Sequence, residues 1–218
     1  MKRIERKQLK EDELASGLTK SLRFIKNWTR ELVIAAGVIF FLLIVFAVFQ
    51  LVKAHNLSKE NQVISQILSL RSEADKKPEN LAKLEKLAGQ GKFSRLAYIE
   101  LATYWIDKND LAKAQENLGK IGDSLKDMLY YQAQDLLGRV YIRQKAYDKA
   151  IEVYKKIEKD NPKSYPLDAV LYHRAEALEM KGDTAEAVAL YKKIREQFPQ
   201  TYYGYDASQR LSKLEIGK

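Results

Sequence analysis

The segment Ala150-Ile-Glu-Val-Tyr154-Lys-Lys-Ile157-Glu-Lys-Asp-Asn-Pro162 returns as Ala187-Val-Ala-Leu-Tyr191-Lys-Lys-Ile194-Arg-Glu-Gln-Phe-Pro199, every equivalent pair being 37 residues apart. Three shorter stretches keep the same register: Asp110-Leu-Ala-Lys-Ala114, Tyr147-Asp-Lys-Ala150 and Asp183-Thr-Ala-Glu-Ala187, whose final alanines stand 36 and 37 residues apart. Self-similarity at this period marks an array of helical pairs, in which each pair buries against its neighbour the apolar face it cannot cover alone.

Upstream of each alanine lies an amphipathic helix, carrying Tyr98, Leu101, Ala102 and Trp105 in the first unit, Leu137, Gly138 and Tyr141 in the second, and Leu171, Ala175 and Leu178 in the third. Apolar residues at three- and four-residue spacing form one buried stripe. The small residues Ala102, Gly138 and Ala175 let the second helix of a pair approach closely, while Trp105, Tyr141 and Tyr154 fill the space between neighbours. These residues resemble the tetratricopeptide repeat: Leu137-Gly138, Tyr141, Ala150, Tyr154 and Pro162 stand at the offsets of that motif. Gln134 replaces its first large residue, and Leu118 replaces the aromatic of the first unit's second helix. Periods of 36 and 37 exceed the motif's usual length of about 34 and predict slightly longer turns.

The array has readable ends. Val63, Ile64, Ile67 and Leu68 predict a helix over 58–74, and Pro78, suited to a first helical turn, opens another with Leu81, Leu84 and Leu87 that ends at Gly89 and Gly91. These two make a degenerate first pair. At the other terminus Ala207, Leu211 and Leu214 line one face of a capping helix, with Asp206, Gln209, Arg210, Lys213 and Glu215 expected to face water.

Between Glu31 and Lys53 the 21 residues Leu32–Val52 carry no charge. As a helix rising about 1.5 Å per residue they match a hydrocarbon core roughly 30 Å thick. Nine lysines or arginines precede the span in residues 1–30, and three follow it in the next 20. Cationic flanks stay cytoplasmic, which predicts a single-pass inner-membrane protein with a cytosolic N-terminus and a periplasmic or otherwise extracytoplasmic C-terminal part. A cleaved signal peptide is the competing reading, because Val52-Lys53-Ala54 has tolerable cleavage spacing. Signal segments, however, have apolar cores of roughly 7–15 residues. The expected organisation is a basic tail over 1–30, a transmembrane helix over 31–53, a membrane-proximal helical pair over 54–92, and repeats with their cap over 93–218. The fold class is all-α, one transmembrane helix followed by a tetratricopeptide-type helical solenoid.

The 218 residues carry a net charge of +9 and no cysteine, so disulfides, thiolate metal sites and a cysteine nucleophile are excluded. The basic tail suits anionic lipid headgroups rather than nucleic acid, since no aromatic interleaving or reader motif accompanies it. Neither His55 nor His173 has a second ligand at metal spacing, and in Gly89-Gln90-Gly91-Lys92-Phe93-Ser94 phenylalanine stands where a phosphate loop needs serine or threonine. Glu176, Glu179 and Asp183 are scattered acids of a solvated face. No catalytic residue, cofactor or metal is therefore expected.

Binding remains. Transferring the first-helix offsets that line the inner groove of tetratricopeptide arrays gives Ile99, Thr103 and Ile106, then Asp135, Arg139, Ile142 and Arg143, then Tyr172, His173 and Glu176. Asp135 and Arg139 occupy places where the carboxylate clamp of cytosolic chaperone adaptors has lysine and asparagine, so a chaperone tail is not the expected ligand. The plainer alternative is that Arg139 and Arg143 pair with Asp135 and solvent. Over residues 30–218 the layout resembles the membrane-anchored periplasmic tetratricopeptide proteins typified by YfgM, the ancillary subunit of the SecYEG translocon. That resemblance implies a non-enzymatic adaptor that meets the secretion translocon, periplasmic chaperones or envelope-assembly proteins during export. The alternative is a structural scaffold that oligomerises or organises a membrane complex without a client groove.

The absence of native cysteine makes the topology directly testable. In cells with a permeabilised outer membrane, an impermeant maleimide should label Ser164→Cys and leave Ser16→Cys unlabelled; the reverse pattern would overturn the charge argument.

Overall fold

In the computed structural model, which describes residues 16, 17, 19, 29–89 and 91–216, the regular elements among those residues are all α-helices. They are α1 (Thr29–Ser72), α2 (Glu79–Ala88), α3 (Ser94–Asp107), α4 (Leu111–Gly119), α5 (Met128–Arg143), α6 (Tyr147–Asp160), α7 (Leu167–Lys181), α8 (Thr184–Gln197) and α9 (Tyr202–Ile216). The basic tail lies outside the described residues except at positions 16, 17, 19, 29 and 30, as does Gln90 of the glycine-rich turn. The chain divides into two units, residues 1–61 and 62–218.

The first unit is the apolar part of α1. Val33, Phe40, Phe41 and Leu51 are each more than 60% exposed, and the helix is long and apolar enough to cross a membrane. The helix expected to begin near Ser58 is the continuation of α1. Between residues 38 and 77 there is neither glycine nor proline to stop it.

In the second unit α3/α4, α5/α6 and α7/α8 are the three repeats, and α9 packs on α7 and α8. The last turns of α1 and helix α2 form the degenerate opening pair, joined through Ile67, Leu70, Leu84 and Ala88 to Ala97 and Leu101 of α3. One turn recurs inside each repeat. Asn109, Lys145 and Gly182 all have positive φ, at 59°, 61° and 99°, and the following amides of Asp110, Ala146 and Asp183 donate to the carbonyls of Trp105, Tyr141 and Leu178 at 2.8, 2.8 and 2.9 Å. This left-handed closure satisfies carbonyls that a helix end leaves open. Its spacing of 36 and 37 residues follows the sequence repeat, so the three repeats share one backbone device between their paired helices. In the glycine-rich run Gly91 likewise has positive φ, at 81°.

The expected close approach of paired helices is sharpest at Gly138. A Cβ built there would stand 2.6 Å from the hydroxyl oxygen of Tyr154, and Tyr154 is fully buried with its hydroxyl donating to the backbone carbonyl of Asp135 at 3.1 Å. Ala102 and Ala175 are fully buried at the equivalent positions. On α9, Ala207 and Leu211 are buried as expected. Asp206 and Arg210 depart from the expected water-facing set: Asp206 accepts from the Tyr172 hydroxyl and Arg210 lies 3.4 Å from Glu179. The reason is that α9 packs on α7 as well as on α8, so a second stripe of it meets protein. Gln209 and Lys213 are exposed, and the side chain of Glu215 lies outside the described residues.

Two substitutions should move stability in opposite directions. Gly138→Ala should destabilise by about 1–3 kcal/mol, because Tyr154 must leave its hydrogen bond to admit one methyl. Lys145→Gly should stabilise by about 1 kcal/mol, since a lysine held at positive φ bears a Cβ clash that glycine lacks. Thermal melts of the full chain in detergent check both; equal midpoints would show the repeat register to be misassigned.

Candidate protein-binding face

The inner surface of the second unit is built by the first helices α3, α5 and α7 and by the last helix α9, which touch in that order. Asp127 starts α5 by accepting from the Tyr130 amide at 3.1 Å, and it also receives both terminal nitrogens of Arg95, from α3, at 2.8 and 2.9 Å. One carboxylate thereby caps a helix and ties it to the preceding repeat.

Six of the ten residues expected to line the groove are packing residues here. Ile99 and Ile106 belong to the cluster of Ala114, Leu118, Ala133 and Val140, and Ile142 and Tyr172 are buried in the following cluster. Asp135 and His173 are buried against each other, Oδ1 to Nδ1 at 2.7 Å. Adjacent first helices are pressed together, so residues on the correct face of a helix still fall below the surface. Thr103 is half-buried and its hydroxyl donates back to the Ile99 carbonyl at 2.8 Å. Glu176 is half-buried, while Arg139 and Arg143 are exposed.

The two arginines have different roles. Arg143 donates to the Ile106 carbonyl at 2.8 Å, which places a cation at the negative end of α3 and links two repeats. Arg139 makes no side-chain hydrogen bond or ion pair among the described residues. The expected alternative partner, Asp135, is committed to His173. Arg139 lies close enough to Tyr154, Tyr165 and Tyr203 for its charge to act on all three, as the Asp135 carboxylate does.

Those tyrosines complete the face. His173 meets Tyr172 and Tyr203 edge to face and Tyr154 at a tilt, with ring centroids 6.1, 5.4 and 5.8 Å away. Burial first, and the Asp135 carboxylate second, push the phenols of Tyr154, Tyr165 and Tyr203 upward, so they remain neutral hydrogen-bonding groups at physiological pH. Tyr165 and Tyr203 escaped the sequence reading, one lying in the loop after Pro162 and the other on the capping helix, where helix-offset rules do not reach. Their half-buried rings leave aromatic surface beside Arg139. Among the described residues no three acidic or histidine side chains converge as metal ligands. The arrangement offers one cation and aromatic walls, which is equipment for binding a chain segment.

No curated protein and no solved structure matches this chain. A model of the tetratricopeptide repeat-like domain matches residues 22–202. With its helical pairs, its recurrent left-handed turn and that match spanning most of its length, the chain belongs to the tetratricopeptide repeat-like domain family.

Proposed function

We propose that this chain is a non-enzymatic, membrane-anchored adaptor of the bacterial envelope that binds extended protein segments during export or envelope assembly. Membership of a repeat family built for protein interaction supports the adaptor role, and the exposed Arg139 beside Tyr165 and Tyr203 carries the assignment to the inner face. Supporting the membrane location are the apolar stretch of α1 and the excess of cations before it. The preferred segment is acidic with interspersed aromatics: carboxylates meet the guanidinium, and rings pack on the tyrosine walls. The translocon and periplasmic chaperones are the partners such an adaptor would serve.

A second reading, a self-associating scaffold, is favoured by one observation. Tyr202 and Tyr205 on α9 are 74% and 66% exposed. The two readings separate by experiment. Fluorescence anisotropy with extended acidic-aromatic peptides should show binding to the full chain in detergent that weakens with salt, as screening falls to about 8 Å at physiological ionic strength. Arg139→Ala should weaken that binding about tenfold, the loss of one charge-assisted contact. The melting temperature should stay nearly constant, because Arg139 holds nothing in place. Unchanged affinity in the folded variant, together with dimers abolished by Tyr202→Ser and Tyr205→Ser, would move the assignment to the scaffold.

A further inference from the structure

Helix α1 carries its polarity the wrong way round along one line. In the apolar span Leu32–Val52 the one polar side chain is Gln50, and in the polar stretch after it, residues 53–61, the apolar ones are Ala54 and Leu57. At about 100° per residue, Leu43, Ala47, Gln50, Ala54, Leu57 and Asn61 fall within an arc of about 80° on one side of the helix, at alternating spacings of four and three. All six are exposed, Leu57 at 56%, and Gln50 makes no side-chain hydrogen bond among the described residues.

Gln50 and Leu57 are each poorly placed for the medium around them when α1 stands alone. Hydrocarbon offers nothing to the Gln50 amide, and water favours the burial of Leu57. One neighbouring helix laid along the line relieves both. Amides hydrogen-bond between helices inside a bilayer, and small residues such as Ala47 and Ala54, on either side of Gln50, let two backbones approach. The spacing is that of a left-handed two-helix coil, with Ala47, Ala54 and Asn61 at a positions and Leu43, Gln50 and Leu57 at d. Asparagine at an a position is a device that fixes register in a pair.

We propose that this line is the interface through which two copies of the chain pair in the membrane, parallel and in register. The pairing rests on the reading of α1 as a membrane span. A second copy is the occupant that the residues fit. Two copies of one single-pass anchor enter the bilayer in the same direction, so equal positions meet at equal depth, Gln50 opposite Gln50 and Asn61 opposite Asn61. A carboxamide both donates and accepts and is therefore complementary to itself, whereas a helix of other sequence would need its own polar group at this depth. Lys53 and Glu60, beside the line, are brought against Ser58 and Ser65 of the other copy, so no like charges meet.

With no native cysteine in the chain, single cysteines in the full-length protein report the contact in native membranes. Oxidation should give disulfide-linked dimers from Ala54→Cys, Leu57→Cys and Asn61→Cys, and little from His55→Cys and Lys59→Cys, which lie outside the arc. The pattern should persist when Tyr202→Ser and Tyr205→Ser are also present. Sedimentation equilibrium of the full chain in detergent should show Gln50→Leu weakening the dimer about threefold, the loss of one interhelical hydrogen bond, and Phe49→Leu, off the line, leaving it unchanged. In a chain that alkaline carbonate leaves in the membrane, equal disulfide yields all round the helix, or Gln50→Leu and Phe49→Leu behaving alike, would overturn the interface. Release of the chain by carbonate would overturn the membrane reading itself, and the pairing with it.

Discussion

The approach of α6 to α5 across a position without a side chain governs the middle of the solenoid. Gly138 lets the Tyr154 ring lie against the α5 backbone, and the Tyr154 hydroxyl then reaches the Asp135 carbonyl. That hydrogen bond is buried, so leaving it unmade would strand a donor at a cost of about 1–3 kcal/mol. The registry of the pair is therefore held by sterics and by a polar bond together. The carboxylate of the same residue meets His173 of the next repeat. A contact internal to one pair is in this way transmitted to the joint between pairs.

The charge pattern of the inner face descends from that joint. Asp135 is hydrogen-bonded to His173, and Arg139 one turn later on α5 makes no ion pair with it. The Arg139 guanidinium is thus exposed and outside any salt bridge, at a position where the surrounding phenols remain neutral.

What the sequence makes legible divides along the same lines. The fold class, the repeat register, the small residues at 102, 138 and 175 and the place of each turn all follow from spacing, because the backbone repeats whenever the packing repeats. Burial depth did not follow. Ile99, Ile142 and Tyr172 lie on the expected face yet beneath the surface, since depth depends on how closely the next helix packs. Arg143 was legible as a cation but not as a cap on the Ile106 carbonyl, because its acceptor lies 37 residues away. The continuity of α1 was legible only in hindsight from an absence, the lack of any glycine or proline from 38 to 77. Tyr165 and Tyr203 lay beyond any helical offset.

The repeats are equivalent in backbone and unequal in side chains, and the inequality has a direction along the array. The third repeat seals itself: its core positions are Leu171 and Leu178, its second helix is long, and Arg174 joins Glu158 of the preceding repeat to Glu186 of its own second helix. The first repeat does the reverse, with larger aromatic residues at the same positions beneath a shorter helix. Rings too large for their cover need something polar or cationic over them, and Lys113 and Lys120 supply it from within the chain. The same replacement of leucine by tyrosine and tryptophan that would weaken a sealed core gives the first repeat an accessible surface, so variation among repeats falls where the covering helix is shortest.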